Sequence, residues 1–144
     1  VIIGGEESGG LSIGTHIPEK DGILANLLIA ELQAVDGRDL SEIFADILAE
    51  VGPFYSRRID LRYPEEKKAT LVQGLISDAP QEIAGKQVVQ VIDVDGAKLI
   101  LDDGSWFLVR PSGTEPLLRV YLEGSSEEAV EKLAAAVSQY VESH

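Results

Sequence analysis

The sequence predicts an α+β fold built on an antiparallel sheet carrying two helices. Three observations point there. From residue 54 onward apolar residues recur at period two, Asp-Gly dipeptides separate the strand-like runs, and helical stripes flank the strands instead of alternating with them. With 144 residues and 44% apolar content the chain can bury one core, or one small core plus a piece of another, which excludes disorder and fibrous repeats.

The chain contains no methionine and opens on Val1-Ile2-Ile3, which reads as the middle of a buried strand and hence as part of a longer protein. Gly4 to Gly10 packs four glycines into seven positions around Glu6, Glu7 and Ser8, a composition used where backbone turns sharply or approaches a ligand. Asp21 can cap a helix from about Gly22 to Val35, whose polar interruptions before Gln33 are only Asn26 and Glu31, so burial on most sides is expected. Asp36-Gly37 ends it. A second helix begins at Asp39 and Glu42, which have capping-box spacing, and carries Leu40, Ile43, Phe44, Ile47, Leu48 and Val51 on one stripe. Gly52-Pro53 stops it and marks a domain boundary, giving segments 1–52 and 53–144.

Tyr55, Ile59, Leu61 and Tyr63 then form a strand, and Pro64 opens a helix at its first turn, with Leu71, Val72, Leu75 and Ile76 inward and a fade near Asp78 to Pro80. Strands follow at about 87–94, 97–101 and 105–109, joined by Asp95-Gly96 and Asp103-Gly104, dipeptides suited to tight hairpins. A further strand, 117–123, succeeds the segment Arg110 to Pro116. The last helix spans about 127–142, with Ser125 and Glu128 at capping-box spacing and Val130, Leu133, Val137 and Val141 inward.

Charge narrows the partners. Twelve basic residues against 25 acidic ones leave a net −13, and the longest basic runs are Arg57-Arg58 and Lys67-Lys68, so no nucleic-acid partner is expected. No apolar run reaches the roughly 18–20 residues that span a bilayer, so no membrane partner is expected either. Zero cysteines exclude disulfides, thiolate metal sites and a cysteine nucleophile, and fit a cytoplasmic location.

Arg110-Pro111-Ser112-Gly113-Thr114-Glu115-Pro116 is richer in donors than a simple connection needs. A phosphate monoester wants fixed donors and a charge-matched fork, and Arg110, the Ser112 and Thr114 hydroxyls and the Gly113 amide supply that set within five residues. Residues 105–122 carry Arg110 and Arg119 against Glu115, a local reversal of the chain's sign. The competing reading is a turn of ordinary turn formers with Arg110 paired to Glu115. Glu6, Glu7 and Ser8 have the acceptors and hydroxyl that hold sugar hydroxyls, or form a solvated loop. His16 and Lys20 precede the first helix and could be structural or solvated.

Gly4-Gly5-Glu6-Glu7-Ser8-Gly9-Gly10, then His16-Ile17-Pro18-Glu19-Lys20-Asp21-Gly22, then Arg110 to Pro116 with Arg119-Val120-Tyr121, resemble the last part of an alpha-D-phosphohexomutase, with phosphoglucomutase and phosphomannomutase the nearest in kind. The resemblance spans nearly the whole chain, although residues 40–104 match only in pattern. It implies that 1–52 is the end of an α/β, sugar-binding third domain and 53–144 a phosphate-binding fourth domain, its sheet and two helices TATA-box-binding-protein-like. It implies interconversion of hexose 1-phosphate and 6-phosphate through a phosphoserine and a bisphosphate, with glucose or mannose phosphate as ligand. Glu6 and Ser8 would hold sugar hydroxyls. Arg110, Ser112, Gly113 and Thr114, with Arg119 beside them, would grip the phosphate that is not transferred. Lys20, and His16 behind it, resemble basic residues near the transferring oxygen. Some relatives carry histidine where Gly10 stands, and glucosamine-specific relatives usually carry glutamine where Glu7 stands. No segment resembles the family's serine loop or its Asp-rich loop for Mg2+, so the implied metal site belongs to the full-length enzyme and this chain alone should be inactive. A non-catalytic α+β module binding an anionic metabolite is the competing class.

Overall fold

The computed structural model describes residues 2–6 and 9–144, and the chain divides into two compact units, Val1–Gly52 and Pro53–His144. Val1, Glu7 and Ser8, the last two from the glycine-rich loop, lie outside the described residues.

In the first unit, β1 (Ile3–Gly5) and β2 (Leu11–Ile13) pair antiparallel as a two-stranded ribbon. Within this chain Ile2, just ahead of β1, is 86% exposed and Ile3 58%, because a two-stranded ribbon has no interior. The helix α1 (Gly22–Asp36) starts where expected, its Ile23 and Leu24 amides donating to the Asp21 carboxylate, and ends on Gly37 at φ 79°. Burial on most sides is not found. None of its residues is buried, since a ribbon and one other helix offer too little surface to cover it. The helix α2 (Leu40–Val51) has the anticipated capping box between Asp39 and Glu42.

The second unit begins with β3 (Tyr55–Arg62) and α3 (Glu65–Ser77), with Pro64 at the N-cap instead of inside the first turn. A five-stranded meander follows: β4 (Glu82–Ile83), β5 (Lys86–Ile92), β6 (Ala97–Leu101), β7 (Trp106–Pro111) and β8 (Leu117–Gly124). The helix α4 (Glu127–Glu142) closes the unit. All six strands are antiparallel, in the order β3-β8-β7-β6-β5-β4, so β3 reaches across to pair with the last strand while α3 carries the chain to the opposite edge.

Along β8 burial alternates strictly, with Leu118, Val120 and Leu122 inward, and β6 and β7 contribute Ala97, Leu99, Leu101, Phe107 and Val109 to the same face. Leu71, Val72 and Leu75 of α3 and Val130, Leu133, Val137 and Val141 of α4 close over them in one continuous core. The other face of the sheet carries Lys98, Trp106 and Tyr121, with the Lys98 ammonium 3.7 Å from the Trp106 ring centre.

Three local expectations are corrected. The short β4 hairpin carries no dipeptide signal in the sequence, because its turn, Ala84-Gly85, puts an alanine at φ 53°, and alanine is no turn signal. The cap of α4 is Ser126, whose hydroxyl accepts from the Ala129 amide at 3.1 Å, so Ser125 lies one residue too early. The strand predicted to end at 109 continues through Arg110 and Pro111, opposite Arg119 and Leu118. Among the described residues no helix is long and apolar enough to cross a membrane.

Candidate functional site

The donor-rich segment joins two paired strands, β7 and β8. Arg110 stands on the last paired stretch of β7 directly across from Arg119 of β8, so two guanidiniums share one end of the sheet. Such a like-charged cross-strand pair is unfavourable by itself and is compensated by carboxylates. Arg110 Nη1 lies 3.2 Å from Asp95 Oδ2, and Arg119 Nη2 lies 3.3 Å from Glu115 Oε2. The Arg110–Glu115 pair of the competing plain-turn reading is thus not formed: Glu115 pairs with the other arginine, and Asp95, at the tip of the β5–β6 hairpin, takes Arg110. Arg119 Nε is buried with no hydrogen-bond partner among the described residues.

Gly96 explains how Asp95 gets so close. At φ 109° it adopts a backbone conformation open to glycine, and a Cβ there would lie 2.4 Å from the Val109 carbonyl oxygen, so only a residue without a side chain lets the hairpin tip press against β7.

The turn closes with the Ser112 amide donating to the Leu117 carbonyl at 3.0 Å and the Leu117 amide to the Glu115 carbonyl at 2.8 Å. Ser112 is buried, whereas Gly113, Thr114 and Glu115 are exposed. The Gly113 and Thr114 amides make no hydrogen bond to any described residue. Below the turn lies a residue the sequence reading missed. Lys68 of α3 is 2% exposed, and its ammonium donates to the Ser112 carbonyl at 3.1 Å and the Glu115 carbonyl at 2.5 Å, with the Glu65 carboxylate also at 2.5 Å. The signal was present: Lys68, Leu71, Val72 and Leu75 stand at i, i+3, i+4 and i+7, so the helix period puts this lysine on the inward stripe. With Lys68, Glu65 and Asp95 included, three cations meet three carboxylates, and the local positive excess counted along residues 105–122 is balanced. An arriving anion competes with Asp95 and Glu115 for the guanidiniums.

In the first unit, Glu6 and Lys20 are joined, the ammonium lying 3.1 and 3.2 Å from the two carboxylate oxygens. The Glu6 amide donates to the Gly10 carbonyl at 2.9 Å, and a Cβ on Gly10 would sit 2.7 Å from the Lys20 side chain and 2.8 Å from Glu6 Oε2. Gly10 therefore makes room for the ion pair. His16 is engaged elsewhere, its Nε2 lying 2.9 Å from Asp21 Oδ2. The Leu24 amide, and then His16, hold the Asp21 carboxyl below its ordinary pKa, although burial opposes this slightly. Asp21 thus serves helix α1 and His16 together. Ser8 lies outside the described residues.

Among the described residues no group of three or more His, Asp or Glu side chains could hold a metal ion, so the residues present do not fit the Mg2+ that the resemblance implies for the longer protein.

Two family models match stretches of this chain. Residues 59–139 match the model for the phosphoglucomutase/phosphomannomutase C-terminal domain, and residues 1–51 match the model for alpha/beta/alpha domain III of the same family. A probable phosphoglucosamine mutase of Methanothermobacter thermautotrophicus is 36% identical over 139 residues, which cover 96% of this chain and 29% of that protein. A phosphoglucomutase/phosphomannomutase of Thermococcus kodakarensis is 34% identical over 126 residues, 88% of this chain and 25% of the relative. The chain thus spans little more than a quarter of the length of these relatives. A crystal structure of a phosphoglucomutase/phosphomannomutase family protein from Burkholderia thailandensis shares the fold, with a TM-score of 0.71 at 20% identity over 99% of this chain and 28% of that one. An antiparallel sheet ending in a paired-arginine turn, together with these matches across both units, shows that the chain belongs to the phosphoglucomutase/phosphomannomutase family.

Proposed function

We propose that this chain supplies two binding elements of a mutase that moves a phosphate between two oxygens of a hexose. Segment 53–144 is read as the fourth domain, whose Arg110, Gly113 and Thr114, with Ser112 and Arg119, grip the phosphate that stays in place. Segment 1–52 is read as the end of the third domain, whose Glu6 and Ser8 hold sugar hydroxyls. The observation that carries this is the exposed turn after Arg110, where two backbone amides have no acceptor among the described residues and Arg110 stands opposite Arg119 across the strand pair. Backbone N–H groups in a turn flanked by arginine forks form an anion-binding concavity.

The Glu6–Lys20 pair supports a further role. The pair sets a carboxylate acceptor and a lysine donor side by side, the two group types that meet sugar hydroxyls. Lys20 is the candidate proton carrier near the transferring oxygen. His16, turned to Asp21, is the weaker one. A sugar held by its hydroxyls and its resident phosphate can present either end to one reactive group, which is how a mutase of this kind gains from positioning. In the longer protein the phosphoserine and Mg2+ come from segments outside this chain, and the location proposed is the cytoplasm. The chain alone should therefore bind without turning over.

Titration of the 144-residue chain with glucose 6-phosphate and mannose 6-phosphate tests the reading. Weak, phosphate-dependent binding that Arg110→Ala abolishes is expected. Equal binding by the variant would overturn the assignment, and tight binding of an unrelated anionic metabolite would favour a non-catalytic module. A second substrate reading, a 2-amino sugar phosphate, is favoured by the 36% identical relative named as a phosphoglucosamine mutase, and glucosamine 6-phosphate belongs in the same titration. The presence of Glu7, where relatives of that type usually have glutamine, supports glucose or mannose.

A further inference from the structure

Lys68 is the most deeply buried charged side chain among the described residues, and neither the phosphate grip nor the sugar hold accounts for it. An ammonium has three protons to donate and no capacity to accept. Here the three acceptors are the Ser112 carbonyl, the Glu115 carbonyl and the Glu65 carboxylate. A buried cation persists only where its protons are satisfied, and two of these three partners belong to the turn and not to the helix that carries the lysine.

The direction of those carbonyls matters. In a trans peptide the C=O of one residue and the N–H of the next point opposite ways across a rigid plane. Turning the Ser112 carbonyl onto the Lys68 ammonium therefore turns the Gly113 amide away from α3 and outward. That amide has no acceptor among the described residues, Gly113 is exposed, and apart from its chain neighbours no described atom lies within 4 Å of a Cβ placed there. Glu115 is followed by Pro116, which has no N–H to aim, so the second contact anchors the far end of the same turn.

We propose that Lys68 is a positioning residue of the anion site: from beneath the turn it orients the Gly113 amide toward the ligand and sets a second-layer positive charge under it. The inference rests on the phosphate-binding reading of the turn and adds to it the group that prepares the turn before the ligand arrives. Without Lys68 the Ser112–Gly113 peptide is free to flip, and the bound state must select one orientation out of several.

The test is titration of the 15N-labelled 144-residue chain with inorganic phosphate and with glucose 6-phosphate, following the Gly113 and Thr114 amide signals, in the wild type, Arg110→Ala and Lys68→Met. Wild-type shifts at Gly113 that vanish in Arg110→Ala establish the anion site. Lys68→Met, with core signals of β6 to β8 unchanged, should bind about tenfold more weakly and show a displaced Gly113 signal before any ligand is added. Binding by Lys68→Met within about twofold of the wild type overturns the positioning role and leaves the anion site standing. Absence of any phosphate-dependent shift in the wild type overturns both. If Lys68→Met does not fold, proton exchange at the wild-type Lys68 ammonium decides: slow exchange supports the locked contact, and exchange as fast as at an exposed lysine overturns it.

Discussion

Replacing Gly96 with alanine would put a methyl group 2.4 Å from the Val109 carbonyl oxygen and 3.2 Å from Arg110 Cα, where ordinary contact begins near 3.4 Å. Two costs add. Holding a non-glycine residue at positive φ costs about 1–2 kcal/mol, and relieving an overlap of about 1 Å against backbone is an overpacking problem worth about 1–3 kcal/mol. Gly85 separates the two, since it sits at φ 79° with nothing within 4 Å, so Gly85→Ala incurs the conformational cost alone. The expected destabilisations are therefore about 2–5 kcal/mol for Gly96→Ala and about 1–2 for Gly85→Ala. Urea unfolding followed by fluorescence measures this cleanly, because Trp106 of β7 is the chain's one tryptophan and reports on the second unit. For a unit of this size Gly96→Ala should also lower the melting temperature by at least about 8 °C. If the two variants agree within about 0.5 kcal/mol, the close approach of the β5–β6 hairpin to β7 is refuted. The placement of Asp95 against Arg110 would fall with it.

Asp95→Asn removes the carboxylate that competes with an anion for Arg110; an exposed pair of this kind is worth up to about 1 kcal/mol, so phosphate affinity should rise by up to about fivefold in the same titration, and a fall would show that Asp95 orients the guanidinium instead. Burial tends to raise the pKa of Asp103, but the Lys86 ammonium and then the Ser105 hydroxyl and amide outweigh it and bring the carboxyl down to about 2. Because the folded value lies below the unfolded one, this contribution is present above the ordinary value of 3.8 and is lost as pH falls through about 2. The urea midpoint of the second unit should therefore drop between about pH 4 and pH 2, and Asp103→Asn should flatten that slope; equal slopes in both proteins would refute the assignment.

Much of the secondary structure was legible because its signals are local. Asp21 and the Asp39–Glu42 pair cap the helices they were expected to cap, Gly96 and Gly104 sit in the hairpins their dipeptides announced, and the alternation along β8 is complete. The misses were also local in origin. An alanine in a left-handed turn hid the β4 hairpin, and two adjacent serines blurred which one caps α4. Of the candidate site, the residue types in the Arg110 turn are readable in the sequence, and their partners are not: the nearest carboxylate along the chain, Glu115, pairs with Arg119, while Arg110 joins Asp95 from the neighbouring hairpin.

By itself the sequence determined the element types, the boundary near Gly52-Pro53 as an expectation, and the presence of a donor-rich turn, since each depends on residues within a few positions of one another. Only the tertiary structure decided that Arg110 and Arg119 stand opposite each other, that β3 pairs with β8, and that the inward lysine of α3 reaches under a turn 44 residues further along the chain. Strand register and the destination of a buried charge are set by which surfaces close over a shared core and which carbonyls remain to be satisfied there, and neither is encoded in sequence neighbourhood.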